Sequence, residues 1–365
     1  MSYSDLAPPY IRAISPYQPG QPMTQLARDV GIPADKIVKL ASNENPLGMS
    51  PKARVALEQA LNGIERYPDQ YDLTKAIAER YGVGMDRIVL GNGSNDVLDL
   101  VARVYMAPGR SAVFSQYAFA VYPLATMSAG GECIQVPARE FGHDLPAMAA
   151  AVRSDTTLLW IANPNNPTGT FLPYQQLRAF LQGLNKNVVV VLDEAYNDYL
   201  LPTMREDTLR WLADFPNLVI VRTFSKVYGL AGLRVGYAVA SQEIADLMHR
   251  VRQPFNVNNL ALAAAIAALD DHAFVAESYQ LNRRGLEQIV AGLKHLGLSY
   301  IPAHGNFVTF RVSNGSDVNK NLLKRGVIVR PLGGYGMPDH LRVTIGLEQE
   351  NVRFLEALEK SLAHS

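Results

Sequence analysis

Cysteine is nearly missing from this sequence: Cys133 stands alone in 365 residues, so no intrachain disulfide can form and a reducing compartment suits the chain. Cys133 lies in the strand-like run Glu132–Val136 and reads either as a small core residue or as a reactive thiol. An excess of charge of one sign is missing too. Thirty-four basic residues balance thirty-four acidic ones, so no global field favours nucleic acid or an anionic membrane. Long hydrophobic runs are lacking; the longest, Leu260–Leu269, falls far short of the ~20 residues that span a bilayer. The opening residues, with Asp5 and Pro8–Pro9, have neither a basic n-region nor an apolar h-region, so no secretory signal is expected. No histidine pair has metal-ligand spacing, and no metal is expected. There is no internal repeat. These absences together predict a soluble cytoplasmic protein with neither a nucleic-acid nor a membrane partner.

The chain is 48% hydrophobic and long enough for two or three domains at roughly 100–200 residues each, with room for a ligand cleft between them. The first forty or so residues, rich in proline and tyrosine, suit an extended arm better than a helix. From about Asp69, helical patterns (Leu73–Tyr81, Asp96–Tyr105, Tyr174–Leu184) alternate with short apolar runs. Those runs are Ile88–Leu90, Ala112–Phe114, Leu158–Ala162, Val188–Leu192, Leu218–Val221 and Val235–Ala240. Uninterrupted apolar runs predict strands buried on both faces of a mostly parallel sheet, in an α/β layered domain. Beyond Pro254 longer helical patterns (Leu260–Leu269, Ala276–Leu296) precede separated strands at Phe307–Val312, Val327–Val329 and Leu341–Ile345. A closing helix follows from about Gln349, so this part is α+β and a domain change is expected near Arg252–Asn258.

Ligands of α/β folds gather at the carboxyl ends of the strands, and four of these ends carry unusual polar residues. Gly91-Asn92-Gly93-Ser94-Asn95-Asp96 combines close-approach glycines with a helix start whose free N–H groups suit a phosphate, Ser94 and Asn95 adding side-chain donors. The same residues also make an ordinary N-cap, and the full Gly-x-Gly-x-x-Gly spacing of a dinucleotide site is lacking. Asn163-Pro164-Asn165-Asn166-Pro167-Thr168-Gly169 is a compound turn that can also point the Asn166 amide at a ligand oxygen. Asp193, in Asp193-Glu194-Ala195-Tyr196, either caps the next helix or meets a cationic ring nitrogen, the partner a pyridine ring needs to act as an electron sink. Tyr196 is placed to reach the same ring. Lys226, in Thr223-Phe224-Ser225-Lys226, is a surface lysine or a poorly solvated amine. In the latter case its pKa falls below the usual ~10.4 and favours carbonyl condensation. Thr223, Ser225 and Arg234 are further phosphate donors. One ligand accounts for all four strand ends, because it has a phosphate, a ring nitrogen, a ring oxygen and an aldehyde: pyridoxal phosphate.

At these residues the sequence resembles the fold-type-I aminotransferases, and within them the histidinol-phosphate aminotransferase family, over nearly the whole chain from Pro9-Tyr10-Ile11-Arg12 to Leu341-Arg342-Val343-Thr344-Ile345-Gly346. The resemblance implies a large three-layer domain with a mostly parallel sheet and a smaller α+β domain. The expected division is an arm and small-domain segment over 1–44, a large cofactor-binding domain over 45–255 and a small C-terminal domain over 256–365. It implies that Lys226 binds the cofactor aldehyde and moves the proton, that Asp193 pairs with the ring nitrogen, and that Asn166 and Tyr196 bond the ring oxygen. Tyr117 looks like the residue stacked on the ring, with core packing as the alternative. Tyr67 resembles a tyrosine that reaches the phosphate from a partner subunit, which implies a homodimer with a composite site. Arg342 resembles the arginine that grips a substrate carboxylate, while Arg330, Tyr17 and Asn45 look like further substrate-pocket residues, and Asn43, in Asn43-Glu44-Asn45-Pro46, is expected to line the same cleft as Asn45. The implied reaction is ping-pong transfer of an amino group from histidinol phosphate to 2-oxoglutarate in histidine biosynthesis. An aromatic amino-acid aminotransferase and a phosphothreonine-decarboxylase-like lyase remain open alternatives.

Overall fold

The computed structural model describes residues 2–16 and 20–363. Strand β1 (Val38–Lys39) comes first, followed by β2 (Ile88–Gly91), β3 (Ser111–Ser115), β4 (Glu132–Val136), β5 (Thr156–Ala162), β6 (Val189–Asp193), β7 (Leu218–Thr223) and β8 (Gly236–Val239). Strands β2 to β8 form one sheet in the order β2-β8-β7-β6-β5-β3-β4, and β8 alone runs against the others.

The apolar runs are continuous because both faces of this sheet are covered. Along β5, Leu159 and Ile161 join one core while Leu158, Trp160 and Ala162 join another; β6 divides Val190 and Leu192 from Val189 and Val191 in the same way. Helices Tyr71–Tyr81, Tyr174–Gly183 and Asn259–Leu269 close the first face, and Ser94–Tyr105, Val121–Ser128 and Gln242–Val251 the second. Each buried aliphatic or aromatic side chain contributes about 1.5–3 kcal/mol, so this three-layer block is the stable platform for whatever its loops hold.

Strands β9 (Phe307–Arg311), β10 (Val327–Ile328), β11 (Arg330–Pro331) and β12 (His340–Thr344) belong to the smaller unit. There β11-β12-β9 is an antiparallel sheet, and β10 pairs in parallel with β1 from the beginning of the chain. Helices His272–His295, Gly315–Lys324 and Glu348–Leu362 pack over a core that includes Ile289, Phe310, Phe354 and Leu358. The β1–β10 pairing brings Ala41 to Glu44 to the junction of the two units.

Two expectations are corrected. A boundary at residue 255 cuts too early, because helix Asn259–Leu269 buries Ala261, Ala264, Ala265 and Ala268 in the large core against Pro51–Ala60. Its alanines and leucines have no polar face to separate one unit from the next. The first forty residues are also not extended throughout. Met23–Val30 is a helix with Leu26 buried, stopped by Gly31 at φ 69°, where glycine takes the left-handed conformation without strain. Cys133 acts as a packing residue: its Sγ lies 3.8 Å from the Pro123 carbonyl, and burial pushes the thiol up to about 11.

Candidate active site

Strands β2, β5, β6 and β7 run in the same direction, so the polar motifs that follow them emerge at one sheet edge. There, roofed by residues 41–44 and by β11 and β12, lies a cleft of about 260 Å³. Ser94, Asn95, Asn166, Asp193, Tyr196, Thr223, Ser225, Lys226, Arg234, Arg330 and Arg342 all line it.

One end is a cradle for an anion. Gly93, at φ 86°, is the N-cap of helix Ser94–Tyr105, whose first N–H groups have no partner within the helix. A Cβ on Gly93 would run into the Arg234 guanidinium, and one on Gly236 would come within 2.5 Å of the Ser94 amide nitrogen. The two glycines thus let an arginine and a helix start share one small space. Arg234 is itself left-handed at φ 58°, its Nη1 donating to the Ala231 carbonyl at 2.9 Å and to Ser225 Oγ at 3.5 Å. With Thr223 alongside, this donor set suits a phosphate dianion.

The centre of the cleft is acid and base. Asp193 ends β6 and is buried; Tyr122 Oη donates to its Oδ2 at 2.8 Å and the Ala195 N–H to its Oδ1 at 3.1 Å. Burial pushes its carboxyl up to about 6, against those two hydrogen bonds. Lys226 Nζ donates to the Ser42 carbonyl at 3.2 Å and sits 5.6 Å from the centre of the Tyr196 ring. Burial and then the Arg342 cation bring this amine down to about 8, with Glu44 opposing. Tyr196 Oη accepts from Asn43 Nδ2 at 2.9 Å and from Asn166 Nδ2 at 3.2 Å, and burial pushes its hydroxyl up to about 12.

The far wall is cationic. Arg342 is 6% exposed, donates to Asn166 Oδ1 and to the Ala41 carbonyl, and stacks over Phe307 at 5.2 Å. Arg330 is its register partner across β11 and β12.

Two expected residues lie elsewhere. Tyr117 faces a neighbouring cavity, stacked on Phe141 at 5.9 Å, and Phe119 lines the cleft instead. Asn45 bonds the Val227 carbonyl and Ser278 Oγ, each at 2.9 Å, and so ties the loop after Lys226 to helix His272–His295, while Asn43 occupies the cleft. Tyr67 is exposed and stacked on Phe255, outside this chain's own cleft. Tyr17 lies outside the described residues. Phe119 and Tyr122 were not expected from the sequence, whereas Asn43 lines the cleft as expected. A signal existed for Tyr122: a tyrosine in the apolar stretch Ala118–Leu124 needs a polar partner once buried.

A three-layer fold with a lysine, a buried carboxylate and an anion cradle at one sheet edge defines a class of group-transfer enzymes. The chain belongs to the family of class I and II aminotransferases, whose family model matches residues 35–358. It is 71% identical over 362 residues to histidinol-phosphate aminotransferase 1 of Dechloromonas aromatica (strain RCB), covering 99% of this chain and 100% of that one. It is 58% identical over 365 residues to histidinol-phosphate aminotransferase 2 of Nitrosospira multiformis (strain ATCC 25196 / NCIMB 11849 / C 71), covering 99% and 93%. Among solved structures, histidinol-phosphate aminotransferase from Sinorhizobium meliloti in complex with pyridoxal-5'-phosphate matches with a TM-score of 0.90 at 27% identity, over 98% of this chain and 97% of that chain.

Proposed function

We propose that the chain is a pyridoxal-phosphate-dependent aminotransferase that takes its amino group from histidinol phosphate and passes it to 2-oxoglutarate in a ping-pong sequence. The observation that carries this reading is the convergence of Lys226, Asp193 and the Ser94–Arg234 cradle in one cleft. The relatives at 71% and 58% identity narrow the donor. The residues fit the cofactor: the cradle suits its phosphate, the buried carboxylate its ring nitrogen, and the amine its aldehyde. When bound, the cofactor supplies a ring that takes up the electron pair left as the donor's amine-bearing carbon loses its proton.

The chain's own groups do the rest. Lys226, with its pKa near 8, is neutral in roughly a tenth of molecules at pH 7, enough to form the covalent link to an aldehyde. With the donor in place, its Nζ would take the proton leaving the donor carbon and deliver it to the carbon of the cofactor's former aldehyde. Asp193, with its pKa near 6, is mainly a carboxylate at neutral pH, the form that pairs with a protonated ring nitrogen. Tyr196 and Asn166 hold the ring oxygen. Arg342 and Arg330 receive the acceptor's carboxylates, and the same cationic wall takes the donor's phosphate in the other half-reaction.

The exposed apolar residues Val55, Leu61, Ile64, Tyr67 and Tyr71 follow one another along the chain, and Tyr67 stacks on exposed Phe255 at 4.6 Å. We read them as the interface of a homodimer in which Tyr67 of one protomer completes its partner's phosphate cradle. The enzyme is expected to work in the cytoplasm, in histidine biosynthesis.

The test is a half-reaction panel on the holoenzyme with histidinol phosphate, phenylalanine, tyrosine and glutamate, followed by the visible absorbance of the lysine-bound cofactor. Histidinol phosphate and glutamate should discharge it fastest. Faster discharge by phenylalanine would overturn the choice of donor. Borohydride reduction followed by peptide mapping should leave the label on Lys226, and a label elsewhere would overturn the whole scheme.

A further inference from the structure

We propose that Tyr122 is a positioning residue, its hydroxyl holding Asp193 as an aimed carboxylate toward the cofactor's ring nitrogen. This rests on the reading of Asp193 given above. Tyr122 lies in the first turn of helix Val121–Ser128 and is fully buried, yet it lines the cleft. Its ring is pinned from two sides. It stacks parallel on Trp160 of β5, with 5.1 Å between centroids and 2° between planes, and it meets Phe119 edge-on at 5.8 Å. Trp160 is fixed in turn, because its Nε1 donates at 3.2 Å to Thr126 Oγ1 on the helix that carries Tyr122. The phenol therefore has little freedom to turn away from Asp193.

The hydrogen bonds on the carboxylate divide the work. Oδ2 accepts from Tyr122 at 2.8 Å, and Oδ1 accepts from the Ala195 N–H at 3.1 Å. A carboxylate offers about four acceptor positions, so a ring N–H can still be accommodated. The titratable groups facing this pair are Glu194, Tyr196 and Lys226, with Tyr335 acting on Tyr122 and Tyr196. Among the influences on Asp193, burial pushes its carboxyl up, and the Tyr122 hydrogen bond is the largest one pulling it down. Without that phenol proton the acid form gains at neutral pH, and a neutral acid does not favour a protonated ring nitrogen.

The experiment uses the apoprotein with pyridoxamine phosphate, which binds without condensing with Lys226, and with its analogue carrying carbon in place of the ring nitrogen. Dissociation constants are measured by equilibrium dialysis for wild type and Tyr122→Phe. The variant should bind pyridoxamine phosphate roughly tenfold or more weakly, the loss expected for a hydrogen bond to a charged group. It should bind the analogue as wild type does, which also shows that the cleft is intact. The deficit should shrink from about pH 6 to about pH 9, as Asp193 ionises without help. Equal weakening for both ligands, or no weakening, overturns the role of Tyr122. If wild type itself binds both ligands equally, the reading of Asp193 fails and this proposal falls with it.

Discussion

Asn43 Nδ2 donates a 2.9 Å hydrogen bond to Tyr196 Oη, joining residues 153 positions apart in sequence. Asn43 comes from the segment attached to the small unit through β1, and Tyr196 from the loop after β6. Its backbone N–H also donates to Thr344 Oγ1 at 2.9 Å, on β12. One asparagine thus clasps both units at the cleft.

Asn43 sits at φ 55°, a left-handed conformation that asparagine tolerates and alanine does not. Asn43→Ala should therefore lose the side-chain hydrogen bonds and add backbone strain, together about 2 kcal/mol in chemical denaturation. Asn43→Gly relieves the strain alone and should recover about half. Equal stability of the two variants would show that the conformation costs nothing.

The pH dependence of cofactor capture follows from Lys226. Below its pKa, near 8, the amine is an ammonium ion and cannot attack an aldehyde; above it the nucleophile is fully present. The rate of covalent capture by the apoprotein should rise roughly tenfold per pH unit well below 8 and level off above it. A midpoint near the ordinary lysine value in stopped-flow absorbance would contradict the lowered amine.

Arg342 is assigned to substrate carboxylates. Arg342→Ala should reduce kcat/KM for glutamate by roughly a hundredfold, as expected for loss of a charged, forked contact. Arg342→Lys should recover little, since an ammonium lacks the planar fork. Unchanged glutamate kinetics in Arg342→Ala would remove Arg342 from the substrate site.

Behind Asp193, Glu194 is fully buried and accepts from Arg222 Nε and Nη2 at 2.9 and 2.8 Å and from Thr208 Oγ1 at 2.7 Å. Replacing one member of a buried pair strands the other, so Glu194→Ala should cost about 3–5 kcal/mol of stability in urea unfolding. The double variant Glu194→Ala, Arg222→Met should cost clearly less than the single one. A single-variant loss below about 1 kcal/mol would mean that water reaches Arg222.

Most of the large sheet was legible because its strands are buried on both faces, which writes continuous apolar runs such as Val188–Leu192 into the chain. The ends of those runs were legible for the same reason, since polar residues there stand out against apolar surroundings. Asp193, Lys226, Asn166 and Arg234 were found in this way, and all four line the cleft. Choices between neighbours were harder. Tyr117 and Phe119 are aromatic residues two positions apart on a loop, and Asn43 and Asn45 stand likewise, where no period of 2 or 3.6 says that only Phe119 and Asn43 turn inward.

Local order along the chain thus determines the strands, the strand-end chemistry and the family resemblance, because burial and backbone geometry act over a few residues. Partnerships across the fold had to await folding. Tyr122 finds Asp193 across 71 positions, and Asn43 finds Thr344 across 301. Such contacts depend on helix placement and strand order, and no short stretch of sequence contains both members of the pair.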